Sequence, residues 1–141
     1  MLGVARHFFT LAIFYALCGM ALGLSMAISQ DHSQMPTHAH IVAAGWLMSS
    51  VFAFFYQLVP AARASRLAPI HFWLSAVSGI VLMGGLFLLM RGDTWIEPAV
   101  GIASIGFYAG MLLFAVIALP AVWRGEKADA QPSQFSLNAG R

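Results

Sequence analysis

Two histidines separated by one residue, His38 and His40, are the side chains in this sequence best suited to chemistry. They stand near the start of a long uncharged run that continues through Gly45 and Trp46. Imidazole is the commonest side-chain ligand of transition metals, and it also binds haem iron. Because an ionisable group is costly within an apolar membrane segment, its presence there indicates function. We therefore predict that this pair binds a metal or a haem.

The spacing of the pair restricts how it can bind. Two positions along an α-helix correspond to a rotation of about 200°, so His38 and His40 point to opposite faces. They cannot easily hold one ion together, which requires i,i+3 or i,i+4 spacing. In a cyclic oligomer with head-to-tail interfaces, each interface would contain one histidine from each chain, enough for both axial positions of a haem. The alternative is a hydrated polar pair at the bilayer surface, with no ligand.

The other candidate residues are weaker. His32 lies in a polar loop and is a further candidate for a surface metal site. His7 and His71 lie near predicted helix ends, where a ring reaches the interface at little cost, and all three are left unassigned. The single Cys18 excludes a disulfide within the chain and is interpreted as a packing residue.

Composition identifies the elements that position these residues. Hydrophobic residues make up 60% of the 141-residue chain and charged residues 9%, with a mean hydropathy of +0.81, unlike a soluble domain. A membrane-spanning helix needs about 20 apolar residues. Four segments meet that length: 7–29, 38–59, 69–90 and 98–123. The sequence predicts an all-α integral membrane four-helix bundle over residues 1–124, with a polar, disordered tail over 125–141. Its surroundings are the lipid bilayer, and no feature indicates a nucleic-acid partner.

The basic residues are distributed asymmetrically. They precede the first segment, separate the second from the third, and follow the fourth: Arg6, Arg63, Arg66, Arg124 and Lys127. The other two connections contain Asp31, Asp93 and Glu97 with one cation, Arg91. The positive-inside rule then predicts cytoplasmic termini and places His38 and His40 near the outer surface.

Small residues recur at four-residue spacing in every segment. The pairs are Gly19 and Gly23, Gly45 and Ser49, Ser75 and Gly79, and Gly106 and Gly110. Such pairs let helices approach closely, either within one bundle or between chains. Both packing of the bundle and association between chains remain open from this pattern.

The stretch from Thr37, His38 and His40 through Gly45 and Trp46 resembles the haem-ligand helices of the haem-copper oxidase and nitric oxide reductase catalytic subunit. The chain also resembles small four-helix proteins grouped with that superfamily. The residues that carry this second likeness are Gly19, Met20 and Gly23 in the first segment and His71, Phe72, Trp73 and Leu74 in the third. The resemblance covers most of residues 5–123.

The resemblance implies a particular assembly. The family's large subunit has twelve helices in three arcs of four, and this chain has the size of one arc. Three copies would make a twelve-helix homotrimer, with haem of b type held between His38 of one protomer and His40 of the next. The family's propionate-binding arginines follow a helix equivalent to the third one here. Arg91, with Trp95 close behind, is thus a candidate partner for the propionates, although an ordinary loop cation is the alternative.

The sequence also departs from the family. The copper site of the family needs further histidines, and the matching segment 87–91 has none. No acidic residue lies within the four apolar segments to relay protons. A complete oxidase or nitric oxide reductase is therefore not expected.

We predict a multi-pass haem protein of the bacterial inner membrane, most simply one that transfers electrons to an unidentified redox partner. Three other classes remain open: a haem or gas sensor, a copper- or zinc-binding protein that uses His32, His38 and His40, and an assembly factor without a cofactor.

Overall fold

The computed structural model of the chain describes residues 1–129, with side chains described as far as Trp123. Four long helices account for most of them: α1 Val4–Ser29, α2 Met35–Leu58, α3 Ala68–Leu89 and α4 Glu97–Asp129. Each contains a stretch long and apolar enough to cross a membrane, and no strand occurs among the described residues. The predicted all-α fold is confirmed for the described residues, and its four long helices have the length and apolar composition that a membrane-spanning segment needs. Because α4 continues to Asp129, residues 125–129 of the predicted tail are helical, and the rest of the tail lies outside the described residues.

Prolines mark three of the helix boundaries. Pro36 and Pro69 stand in the first turns of α2 and α3, where a missing backbone N–H leaves no intrahelical bond unmade. At the end of α2, Val59 leaves the helical region with φ −114° and ψ 87°, and a short turn, Pro60–Arg63, follows. This is the expected behaviour of a residue that precedes a proline.

Two hydrogen bonds tie the segments that precede α1 and α2 to the bundle, one at each of its ends. At the end that contains His38, here called the His38 end, the Gln34 side-chain amide donates to the Phe87 carbonyl over 3.1 Å. At the end that contains Arg63, called the Arg63 end, the Leu2 N–H donates to Gln57 Oε1 over 3.2 Å. The start of α2 is therefore held against the last turn of α3.

The helices pack as two close hairpins, α1 with α2 and α3 with α4. In the second hairpin, the hydroxyls of Ser75 and Ser78 lie against Gly110 and Gly106, so a Cβ on either glycine would overlap a serine. Contacts between α1 and α3 are fewer, and a cleft separates them. The bundle is thus tight within each hairpin and open between them.

The Arg63 end contains a dense aromatic cluster drawn from all four helices. Its rings are those of Phe8, Phe52, Tyr56, His71 and Phe114, with neighbouring centroids 4.6–6.1 Å apart. Large apolar side chains cover the outer surface of every helix, which suits contact with hydrocarbon rather than water. The core is therefore aromatic at one end, and the candidate histidines lie at the other.

Candidate functional site

His38 lies between α2 and α1, with its ring half-buried. The ring lies over Gly23, where an added Cβ would come within 2.9 Å of His38 Cε1. His38 Nδ1 lies 3.0 Å from the carbonyl oxygen of Gly19, which is on α1 like Gly23. The two glycines of α1 therefore have distinct roles: Gly23 leaves space for the imidazole, and Gly19 supplies its hydrogen-bond acceptor.

His40 has different surroundings. Its side chain is exposed, and Nδ1 lies 2.8 Å from the carbonyl oxygen of Pro36, one turn earlier on α2. His38 thus faces α1, whereas His40 lies on the outside of the bundle. This difference agrees with the rotation of about 200° that their spacing predicts. Within one chain the two rings do not share a partner.

The hydrogen bonds determine which ring nitrogen is available. A carbonyl oxygen only accepts, so Nδ1 donates in both His38 and His40. In the neutral imidazole the lone pair is then on Nε2. Histidines that bind metals commonly donate their second nitrogen to a carbonyl or carboxylate, which orients the ring and raises its basicity. Both side chains therefore have the tautomer of an Nε2 ligand.

A π-helical segment, Ile41–Leu47, follows His40 directly. Such segments are rare and occur frequently at functional sites, because the wider turn displaces the residues around it. Here α1 and α2 pack closely. A Cβ on Gly45 would lie 2.7 Å from Tyr15 Cγ, and one on Gly19 would lie 3.0 Å from a methyl carbon of Val42. The segment thus lies against α1 immediately beside the two histidines.

The connection before α2 is also hydrogen-bonded. The buried Thr37 hydroxyl donates to Gln34 Oε1 over 2.8 Å, while the Gln34 amide binds the Phe87 carbonyl. In the exposed loop, the Ser33 N–H donates to Asp31 Oδ1 over 2.9 Å and holds the pKa of that carboxyl below its usual value. The loop therefore carries a charged carboxylate beside His32 at neutral pH.

Arg91 and Trp95 lie at the same end of the bundle but do not touch either histidine by a described hydrogen bond. Arg91 is exposed, with Cζ 5.7 Å from the centroid of the Phe87 ring, in the turn that Gln34 joins to α2. The Trp95 side chain is 72% exposed. Both residues are accessible at the surface.

A surface metal site is not assembled within the described part of a single chain. No group of three or more His, Cys, Asp or Glu side chains there is placed to hold an ion. His32 is exposed and its Nδ1 lies 3.1 Å from the Gln30 carbonyl oxygen. The alternative copper or zinc site of His32, His38 and His40 would need ligands from elsewhere.

The sequence interpretation missed a second polar pair. His71, assigned there to the interface, is fully buried in the aromatic cluster, and its Nδ1 lies 3.0 Å from the Tyr56 hydroxyl. Its Nε2 is buried without a described partner. The position of His71 near a predicted helix end suggested a ring at the surface. Only the occurrence of Tyr56 and His71 in two aromatic-rich segments could have indicated burial.

No family model, curated protein or solved structure matches this chain.

Proposed function

We propose that this chain is a haem-binding membrane protein related to haem-copper oxidase subunit I, working in electron transfer. His38 and His40 would hold the haem, which we expect to be of b type. The observation that carries the proposal is the pair of Nδ1–carbonyl hydrogen bonds, at 3.0 Å for His38 and 2.8 Å for His40. They leave Nε2 of each ring as the nitrogen able to bind iron.

The different surroundings of the two rings favour a haem shared between chains. His38 faces α1 of its own chain, and His40 is exposed on the outside of α2. A flat macrocycle bound by one ring of each kind would lie between neighbouring chains. Three copies arranged head to tail would close a twelve-helix homotrimer with one haem per interface. The proposed location is the outer side of a bacterial inner membrane, with both termini cytoplasmic, following the distribution of Arg and Lys.

Arg91 and Trp95 fit this arrangement by type and position. Arg91 is an exposed cation at the His38 end, suited to charge-assisted hydrogen bonds with propionates. Trp95 is an exposed aromatic residue that would cover an edge of the macrocycle or anchor the loop in the headgroup region. The bound haem would supply the one-electron chemistry, and two histidine ligands would leave no open position for oxygen.

The test is an optical spectrum of the detergent-purified protein, oxidised and reduced, with haem per chain measured on the same sample. We expect sharp reduced bands and no response to carbon monoxide. We also expect about one haem per chain, as a head-to-tail trimer with one haem per interface requires. A colourless protein would refute the proposal, and a carbon monoxide adduct would indicate a sensor with an open iron site.

The ligands are tested with His38→Ala and His40→Ala, and His32→Ala is the matched control. His32 is exposed at the same end and has the same kind of Nδ1–carbonyl contact, but it precedes α2. Each of the first two variants should lose haem while remaining folded, and His32→Ala should retain it. If only one of the two matters, haem is not shared between His38 and His40.

A further inference from the structure

The cleft between α1 and α3 runs along most of the bundle. One part has a volume of about 850 Å³ and extends to Gly3 and Arg63; the other has about 430 Å³ and extends to Leu22 and Phe87. The two parts share Phe14 and Ile80, so they form one continuous groove. Along α1, Gly3 to Leu22 corresponds to about 28 Å, close to the thickness of the hydrocarbon core.

The wall of the groove is apolar for most of its length. Phe14, Trp73 and Ile80 line it and are also exposed, so the groove opens sideways toward the membrane interior. Such a groove between helices would take up a hydrocarbon chain rather than water. Each of its two parts has a volume within the range of sites that bind small molecules.

Polar side chains line the groove at the Arg63 end: His7, Thr10 and Arg63. The Thr10 hydroxyl donates to the Arg6 carbonyl, so it is already paired. Arg63 Nη1 donates to the carbonyls of Tyr56 and Gln57, which fixes the guanidinium at the mouth of the groove. Within the described residues, these two bonds use one of its three nitrogens, and a guanidinium has five N–H donors in all.

The charge at this end is not balanced by the described acidic side chains. Asp31, Asp93 and Glu97 all lie at the His38 end, in or next to the two connections there. A fixed cation at the mouth of a long apolar groove matches a ligand with an anionic head and a hydrocarbon chain. A free anion would leave the groove empty, and a neutral apolar molecule would leave the cation unused.

From this charge and shape we infer that the α1–α3 cleft binds one anionic phospholipid, with its phosphate at Arg63 and an acyl chain along Phe14 and Ile80. Arginine is well suited to phosphate because its fork of donors allows two parallel hydrogen bonds. This inference does not depend on haem binding, since neither part of the cleft includes His38 or His40.

The test uses the full chain in nanodiscs of phosphatidylcholine with phosphatidylglycerol as a minor component. The chain is released into the mass spectrometer, and the retained lipid is identified. We expect one phosphatidylglycerol per chain. Arg63→Gln should lower this retention about tenfold, the effect of losing one hydrogen bond to a charged group. Arg66→Gln is the matched control, because Arg66 is an exposed cation of the same connection between α2 and α3 and does not line the groove.

A second pair of variants tests the acyl-chain path without touching the cation. Ile80→Trp fills the point where the two parts meet, whereas Val81→Trp adds the same ring at an exposed position of α3 that is rotated about 100° from Ile80 and lines neither part. Only Ile80→Trp should reduce retention. The inference would be overturned if the two arginine variants had equal effects or if phosphatidylcholine were retained equally well. It would also be overturned if the occupant were a neutral apolar molecule, or if a second copy of the chain closed the groove.

Discussion

His38 and His71 are both histidines on apolar helices, but their surroundings differ. His38 is half-buried at one end of the bundle, with Nδ1 on a backbone carbonyl. His71 is fully buried at the other end, with Nδ1 near the Tyr56 hydroxyl and Phe rings on several sides. Burial alone therefore does not identify a ligand. A ring suited to binding needs one nitrogen oriented by the protein and the other within reach of a partner.

The two regions also differ in what holds the ring in place. His38 depends on glycines, because Gly19, Gly23 and Gly45 let α1 and α2 approach at the π-helical segment. His71 depends on aromatic packing, with ring centroids of Phe52 and Phe8 at 4.7 Å and 5.0 Å. Substitutions can therefore disturb one region and leave the other intact, and the predictions below are ordered by their effect on the free energy of unfolding.

The largest effect is expected from Gly45→Val. Its new Cβ would meet the buried Tyr15 ring at 2.7 Å, and the hydroxyl of the same tyrosine lies against Gly79 of α3. Overpacking of this kind costs about 1–3 kcal/mol, and it should separate α1 from α2 near His38. We expect both the free energy of unfolding, measured by steric trapping in micelles, and the haem content to fall.

Gly101→Val is the control for that experiment. Gly101 is exposed on α4, and a Cβ there would meet no atom within 4 Å. Its unfolding free energy and haem content should stay near those of the unmodified chain. If Gly45→Val behaves like Gly101→Val, the close approach of α1 and α2 does not position His38.

The second prediction concerns the His71 region. Tyr56→Phe removes the one described partner of His71 and leaves both ring nitrogens buried without a hydrogen bond, which costs about 1–3 kcal/mol. The double variant Tyr56→Phe, His71→Phe should recover most of that loss, since replacing both partners by apolar groups is nearly neutral. Haem content should not change in either variant.

Tyr15→Phe is the matched control, because the Tyr15 hydroxyl is buried without a described partner. Removing it should leave the unfolding free energy unchanged or slightly raised. Loss of haem in Tyr56→Phe would contradict the separation of the two regions, as it would show that His71 contributes to the site.

Most of the fold could be predicted from the sequence, because the residues that determine it lie close together along the chain. Apolar runs of sufficient length locate the four helices. The helical repeat likewise predicted that His38 and His40 would have different surroundings. These features follow from spacing along one helix and need no knowledge of its neighbours.

The features that the sequence interpretation missed depend on contacts between helices. No residue pattern marks Ile41–Leu47 as π-helical, because that geometry accompanies the approach of Gly45 to Tyr15 on another helix. The burial of His71 requires Phe8 from α1 and Phe114 from α4 to cover a ring that the sequence places near the end of α3. The roles of Arg91 and Trp95 stay predictions, because both side chains are exposed at the surface of one chain.

The smallest effect on stability is expected from Gly23→Ala, which separates the positioning of His38 from the integrity of the bundle. The added methyl would approach His38 Cε1 at 2.9 Å, but that atom belongs to a half-buried side chain that can rotate away. Rotation would break the Nδ1 bond to Gly19 and misplace Nε2, while alanine favours the helix over glycine by about 1 kcal/mol. Haem content should therefore fall although the free energy of unfolding is nearly unchanged. Gly84→Ala, at a helical glycine with open space around it, should retain haem, and full haem retention in Gly23→Ala would show that the His38 orientation seen here is not the one that binds.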